Sequence, residues 1–208
     1  MVFAVDRAGI VGEDGETHQG LFDIQMFSGI PGMTVYSPSD FNEQILCLKK
    51  AVYETDGPAA VRYPRGKEPE QIHDFKTAAD NYFYSGKDAD CLAVSFGRIC
   101  SNLCRALADE SCAGADMLRL VKIIPIDDEV INICCKYDKI VFFEEGLKKN
   151  GIGESLMIRL IENGFKGTFR IYAIDGFVSH APVERVLEKY RLDSRSMIEA
   201  INCLVNEN

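Results

Sequence analysis

No pair of cysteines in this chain has the spacing of a metal knuckle, and no internal repeat or low-complexity tract is visible. The eight cysteines stand at 47, 91, 100, 104, 112, 134, 135 and 203 without a CxxC pair. Most lie in apolar runs, where a thiol behaves as a small hydrophobe rather than a ligand. No secretory leader opens the chain, so reduced thiols and a cytoplasmic location are expected. The run of roughly 20 apolar residues needed to cross a bilayer is missing, so no membrane partner is expected. Positive charge is also short: 23 Lys and Arg face 32 Asp and Glu, a net charge of -9. A broad nucleic-acid surface is therefore not expected, although a few converging arginines can still reverse the local potential. Histidine occurs three times, so each one can be weighed individually.

What is present suits a soluble α/β chain. The 208 residues are 47% hydrophobic and 26% charged, enough for one large or two small cores. Val2–Val5 is too apolar for a half-exposed strand and reads as buried parallel sheet. It empties into a polar loop, residues 6–20, punctuated by Gly9, Gly12, Gly15 and Gly20. With a strand at residue 2, the chain is expected to open in the middle of a domain. Thr34-Val35-Tyr36 reads as a second strand. A helix should follow, with Ser37 as N-cap, Pro38 in the first turn, Asp40 in box position and an apolar stripe of Phe41, Ile45, Leu48 and Val52. Residues 60–63 read as a third strand, leaving through Pro64-Arg65-Gly66.

Residues 67–88 read as a linker between two units. Beyond it, strands at 91–96, 117–124, 139–143 and 169–174 alternate with helices at 98–108, 128–135 and 153–163, and two helices near 182–190 and 194–205 close the chain. That alternation predicts a doubly wound, mainly parallel sheet.

The loop and the strand exits hold the candidates for chemistry. Arg7 and Arg65 each follow a strand by two residues. If those strands are neighbours, both guanidiniums overhang one carboxyl edge, where a planar fork suits phosphate oxygens. Alternatively, each arginine pairs with a nearby acid, Arg7 with Asp6 or Asp14. His18 could exchange a proton near neutral pH, and Asp14, four residues earlier, could orient His18 or a substrate hydroxyl. The alternative is an Asp14-Gly15 turn that leaves His18 idle. His73 and His180 read as structural. Gly151-Ile152-Gly153 reads as tight packing rather than a phosphate loop. Glu144 and Glu145 end a strand and could face a domain interface, a choice the sequence leaves open.

Four blocks lift these features out of anonymity: Phe3–Gly12, Asp14–Gly20, Tyr36–Asp40 and Gly57–Gly66. In order and spacing they resemble the 1-deoxy-D-xylulose-5-phosphate synthases of the transketolase family, as, more loosely, do Leu118–Asp127, Phe142–Glu145 and Gly176–His180. Ala181 stands where that family usually has glycine. The resemblance implies that residues 1–66 are the second half of a pyrimidine-binding domain, 67–88 a linker and 89–208 a transketolase C-terminal domain. It also implies that Arg7 and Arg65 hold the phosphate of glyceraldehyde 3-phosphate, that Asp14 binds a hydroxyl of that acceptor, and that His18 faces the cofactor and moves protons at the carbonyl oxygen.

The intact enzyme would use thiamine diphosphate and magnesium, take pyruvate as the second substrate and form a homodimer. The family's GDG-and-asparagine metal motif and its cofactor-activating glutamate are missing from these 208 residues. The chain alone is therefore expected neither to bind thiamine diphosphate tightly nor to turn over without the N-terminal portion. Two other readings stand beside this one: a β-type subunit of a 2-oxo-acid dehydrogenase or split transketolase, and a non-catalytic assembly module.

Overall fold

The computed structural model of the chain describes residues 1–12, 14–68, 78 and 80–207. Two sheets form the frame. The first holds β1 (Val2–Val5), β2 (Thr34–Tyr36) and β3 (Ala59–Arg62), with α1 (Asp23–Ser28) and α2 (Phe41–Tyr53) between them. The second opens with β4 (Tyr82–Ser85) and β5 (Cys91–Phe96), followed by α3 (Cys100–Ala108) and β6 (Asp116–Leu120). Then β7 (Lys122–Ile124) returns to the first sheet, and α4 (Asp128–Cys134), β8 (Lys139–Leu147), α5 (Ile152–Glu162) and β9 (Thr168–Ile174) follow. The chain closes with α6 (Val183–Lys189) and α7 (Ser194–Val205).

Strand order is β1-β3-β2-β7 in the first sheet and β4-β6-β5-β8-β9 in the second. All neighbours are parallel except β7 on β2 and β4 on β6. The fold is thus mixed α/β with mostly parallel sheets, as expected. One core lies between the sheets and joins Ile24, Val35 and Ala60 to Val94, Phe96, Leu118 and Phe142. A second packs α3, α6 and α7 on the other face of the second sheet through Leu103, Val186, Met197 and Ile201. Among the described residues no helix is long and apolar enough to cross a membrane.

Several local expectations need correction. β1 is parallel but not buried: as the edge strand it leaves Val2 and Phe3 exposed. The N-cap of α2 is Asp40, whose carboxylate accepts from the Glu43 N–H at 2.7 Å, rather than Ser37. Of the apolar stripe expected on α2, Phe41, Ile45 and Val52 face outward, each more than half exposed, while Leu48 packs against a small cluster with Tyr36, Ala59 and Val61. The buried face of α2 is Glu43, Cys47 and Ala51. Small side chains let the helix approach the sheet closely, and Glu43 is drawn inward to Arg119 of β6 at 2.6 Å.

The single strand expected at 117–124 is two, in different sheets. β4 lies inside the stretch read as linker, and α1 had no counterpart in the sequence reading. The expectation for His73 lies outside the described residues. The cysteines are free, with Cys47, Cys91, Cys100 and Cys134 buried. Burial pushes each of these four thiols up to about 12.

Candidate functional site

β1 and β3 are parallel neighbours with Val5 opposite Arg62, so both chains leave the sheet at one edge. The exits are tied together: the Tyr63 N–H donates to the Val5 carbonyl at 3.0 Å, and the Ala8 N–H to the Tyr63 carbonyl at 2.9 Å. Between those bonds Arg7 is held at φ 58, a left-handed conformation rarely adopted by a side-chain-bearing residue. Gly9 and Gly20 then exchange a pair of backbone hydrogen bonds at 2.8 and 2.9 Å, closing the loop at its neck. Inside it, the Gln19 side chain accepts from the Val11 N–H at 2.6 Å and donates to the Gly15 carbonyl at 3.1 Å. The loop is therefore braced from within.

Arg7 and Arg65 converge. Both meet Asp14 Oδ2, Arg7 through Nε at 3.6 Å and Arg65 through Nη1. The condition that their strands be neighbours is met, and so is the alternative in which Arg7 pairs with Asp14. The Arg65 hydrogen bond, and then the charges of Arg65, Arg7 and His18, hold the Asp14 carboxyl below its ordinary range against a smaller desolvation penalty. His18 closes a 3-10 turn, Glu16–His18, and lies exposed with Nδ1 3.2 Å from Thr17 Oγ1. Side-chain exposures of 45% for Arg7, 55% for Arg65 and 24% for Asp14 leave the cluster open to solvent. Exposed pairs of this kind exchange partners at little cost.

Three groups around the site carried no sequence assignment. Arg62, on β3, is buried and grips Asp23 through Nε at 2.8 Å and the Gly20 carbonyl at 3.3 Å. Arg98, after β5, and Glu145, in β8, form an ion pair that reaches the loop at Ile10. Arg98 does repeat the signature of Arg7 and Arg65, an arginine two or three residues beyond a strand. Glu144 is fully buried and accepts from the Ile152 and Gly153 N–H groups, each at 3.0 Å. Burial lifts its carboxyl to about 7 in spite of those two bonds.

The α5 N-terminus is thus filled by Glu144, and a Cβ on Gly153 would sit 3.1 Å from Phe142 and Ile171. That agrees with packing as the role of Gly151-Ile152-Gly153. His180 is exposed in the segment before α6. Among the described residues no group of three or more His, Cys, Asp or Glu could hold a metal ion.

Residues 1–70 match the family described as Transketolase, pyrimidine binding domain. The chain is 37% identical over 97% of its length to the 1-deoxy-D-xylulose-5-phosphate synthase of Caldanaerobacter subterraneus subsp. tengcongensis, of which it covers 33%. It is 32% identical over 99% of its length to that of Dehalococcoides mccartyi, covering 34%. Among solved structures, a split-gene transketolase described as an inactive beta4 tetramer superposes with TM-score 0.79 at 22% identity, over 98% of this chain and 66% of that one. A transketolase from Pichia stipitis gives 0.78 at 18% identity, over 98% of this chain and 30% of that one. These last two likenesses are of fold. Over residues 1–70 the chain matches the transketolase pyrimidine-binding domain, and the whole chain spans about a third of the length of the 1-deoxy-D-xylulose-5-phosphate synthases it resembles.

Proposed function

We propose that this chain is the acceptor-binding and C-terminal portion of a 1-deoxy-D-xylulose-5-phosphate synthase. The intact enzyme would be a cytoplasmic homodimer that joins pyruvate, with loss of carbon dioxide, to glyceraldehyde 3-phosphate. In this reading residues 1–66 belong to a pyrimidine-binding domain and 89–208 to a transketolase C-terminal domain. The observation that carries the proposal is the convergence of Arg7 and Arg65, from adjacent parallel strands, on the single oxygen Asp14 Oδ2. A point within reach of two guanidiniums is where a phosphate gains most. A hydrogen bond to a charged group contributes about 1.5–3 kcal/mol, and a two-arginine grip fixes orientation as well as affinity.

Arg7 and Arg65 would hold the acceptor phosphate, and Asp14 would turn to a hydroxyl of the same molecule. His18, beside them, would hold or deliver the proton at the acceptor's carbonyl oxygen. Thiamine diphosphate would supply the carbanion chemistry in the intact enzyme. Among the described residues no group of three or more His, Cys, Asp or Glu gathers and the α5 N-terminus is taken by Glu144, which supports a magnesium and diphosphate site elsewhere in the intact enzyme. Its site is assigned to the remaining two thirds of the enzyme, and the isolated chain is proposed to be inactive. Identity of 37% to a synthase, against 22% to the split-gene transketolase, supports this assignment over a split transketolase subunit.

Titration of the full chain with glycerol 3-phosphate, an unreactive analogue of the acceptor, tests the reading. The Nε resonances of Arg7 and Arg65 should shift together, and Arg65→Ala should weaken binding by about 10- to 100-fold. Shifts confined to other arginines, or an affinity indifferent to Arg65→Ala, would overturn it.

A further inference from the structure

The second sheet reverses its strand order at β5, whose neighbours are β6 on one side and β8 on the other. In open α/β sheets the crevice outside the carboxyl ends at such a reversal is where ligands usually sit. Here it is filled by the loop from the first sheet. The Ile10 N–H donates to Glu145 Oε1 at 2.8 Å, and Arg98 Nη2 donates to the Ile10 carbonyl at 2.6 Å. Arg98 also binds Glu145 through Nε at 3.0 Å and through Nη2. Both backbone polar groups of one buried loop residue are thus held by one ion pair, from positions 88 and 135 residues away.

We propose that Arg98 and Glu145 are positioning residues: their ion pair sets the path of the loop that carries Arg7 and Asp14, and so makes Arg7 and Arg65 converge. The proposal deepens the phosphate reading given above and draws its functional meaning from it.

The clamp is stiff because it is dry. The side chains of Glu145 and Arg98 are 6% and 15% exposed, so their hydrogen bonds are strong and directional. It is also close-fitting. Gly9 lies at φ 81, and a Cβ there would stand 2.5 Å from the Glu145 carboxyl carbon. From Ile10 the constraint runs one way through Gly9 and Ala8 to Arg7. It runs the other way through Val11 and Gln19 to Gly15, next to Asp14. A loop braced at both ends transmits the clamp's position to its charged groups, and precise placement of binding groups depends on such support.

The depressed titration of Asp14 reports convergence directly, because Arg65, Arg7 and His18 cause it and no ligand is needed. The experiment follows the Asp14 side-chain carboxyl by 13C NMR across an acid titration of the full chain. Wild type is compared with Glu145→Gln, Arg98→Lys and Gly9→Ala, with melting curves as the fold check. In variants that still melt cooperatively, amide exchange at Ile10 and Val11 should quicken by about tenfold or more. The Asp14 midpoint should climb toward that of an ordinary carboxylate.

An Asp14 midpoint unchanged while the Ile10 amide is released would overturn the proposal, as would an undisturbed Ile10 amide in all three variants. If Gly9→Ala or Glu145→Gln fails to fold, Arg98→Lys, which keeps the charge and shortens the fork, decides the matter. Failure of glycerol 3-phosphate to bind wild type would count against the phosphate reading alone, since the Asp14 titration still judges the clamp.

Discussion

Two carboxylate–guanidinium clusters in this molecule use the same chemistry to opposite ends. Arg7, Asp14 and Arg65 sit on loops, with exposures of 24–55%. Glu43 and Arg119 sit on α2 and β6 with exposures of 0% and 1%. Glu43 accepts from Ser39 N at 2.8 Å, Ala78 N at 2.9 Å and Arg119 at 2.6 Å. The outer cluster lost little hydration in forming and can trade Asp14 for another anion. The inner pair was dehydrated at high cost and is locked by its hydrogen bonds. Solvent access, rather than pairing, separates the proposed phosphate site from a joint.

The sharpest way to break the comparison is Glu43→Ala, which strands a buried guanidinium. It should lower unfolding free energy by about 3–5 kcal/mol in denaturant melts. A loss no larger than that of a surface variant would remove the distinction between the clusters.

Glu144 should come next. Its carboxyl is raised from 4.5 to about 7 by burial. The unfolded chain therefore releases this proton at lower pH than the folded one. Stability should fall as pH climbs from 4.5 to about 7 and level off above, by on the order of 3 kcal/mol in all. Glu144→Gln should flatten that slope, which unfolding curves at pH 5 and pH 7 would reveal.

The smallest effect belongs to the outer cluster. Asp14→Asn should leave the melting temperature unchanged within scatter, yet strengthen binding of inorganic phosphate, because the carboxylate competing for Arg7 and Arg65 is gone. A large drop in melting temperature would make Asp14 a joint like Glu43.

Much of this frame was legible in the residues. Short apolar runs near glycine or proline marked β2, β3, β5 and β9 closely, whereas β8, read as 139–143, continues to Leu147. The arginines just beyond β1 and β3 pointed to a shared edge. What escaped was decided at long range. Glu43 turns the expected face of α2 around because its partner lies 76 residues further along. The break between β6 and β7 falls at Val121 without a glycine, proline or polar residue to announce it. There the Val121 and Lys122 N–H groups share the Asn81 carbonyl, and the Val121 carbonyl accepts from Ser37. Arg98 bore the strand-exit signature, but nothing nearby in sequence says that Glu145 and Ile10 meet it.

β7 carries a last consequence. Three residues from the far side of the chain lie along β2 as the outermost strand of the other sheet. The fold is therefore stitched rather than stacked. Scission between Arg62 and Tyr82 would leave one product with a bare seam along β2 and the other with its five-stranded sheet complete but β7 an orphaned thread.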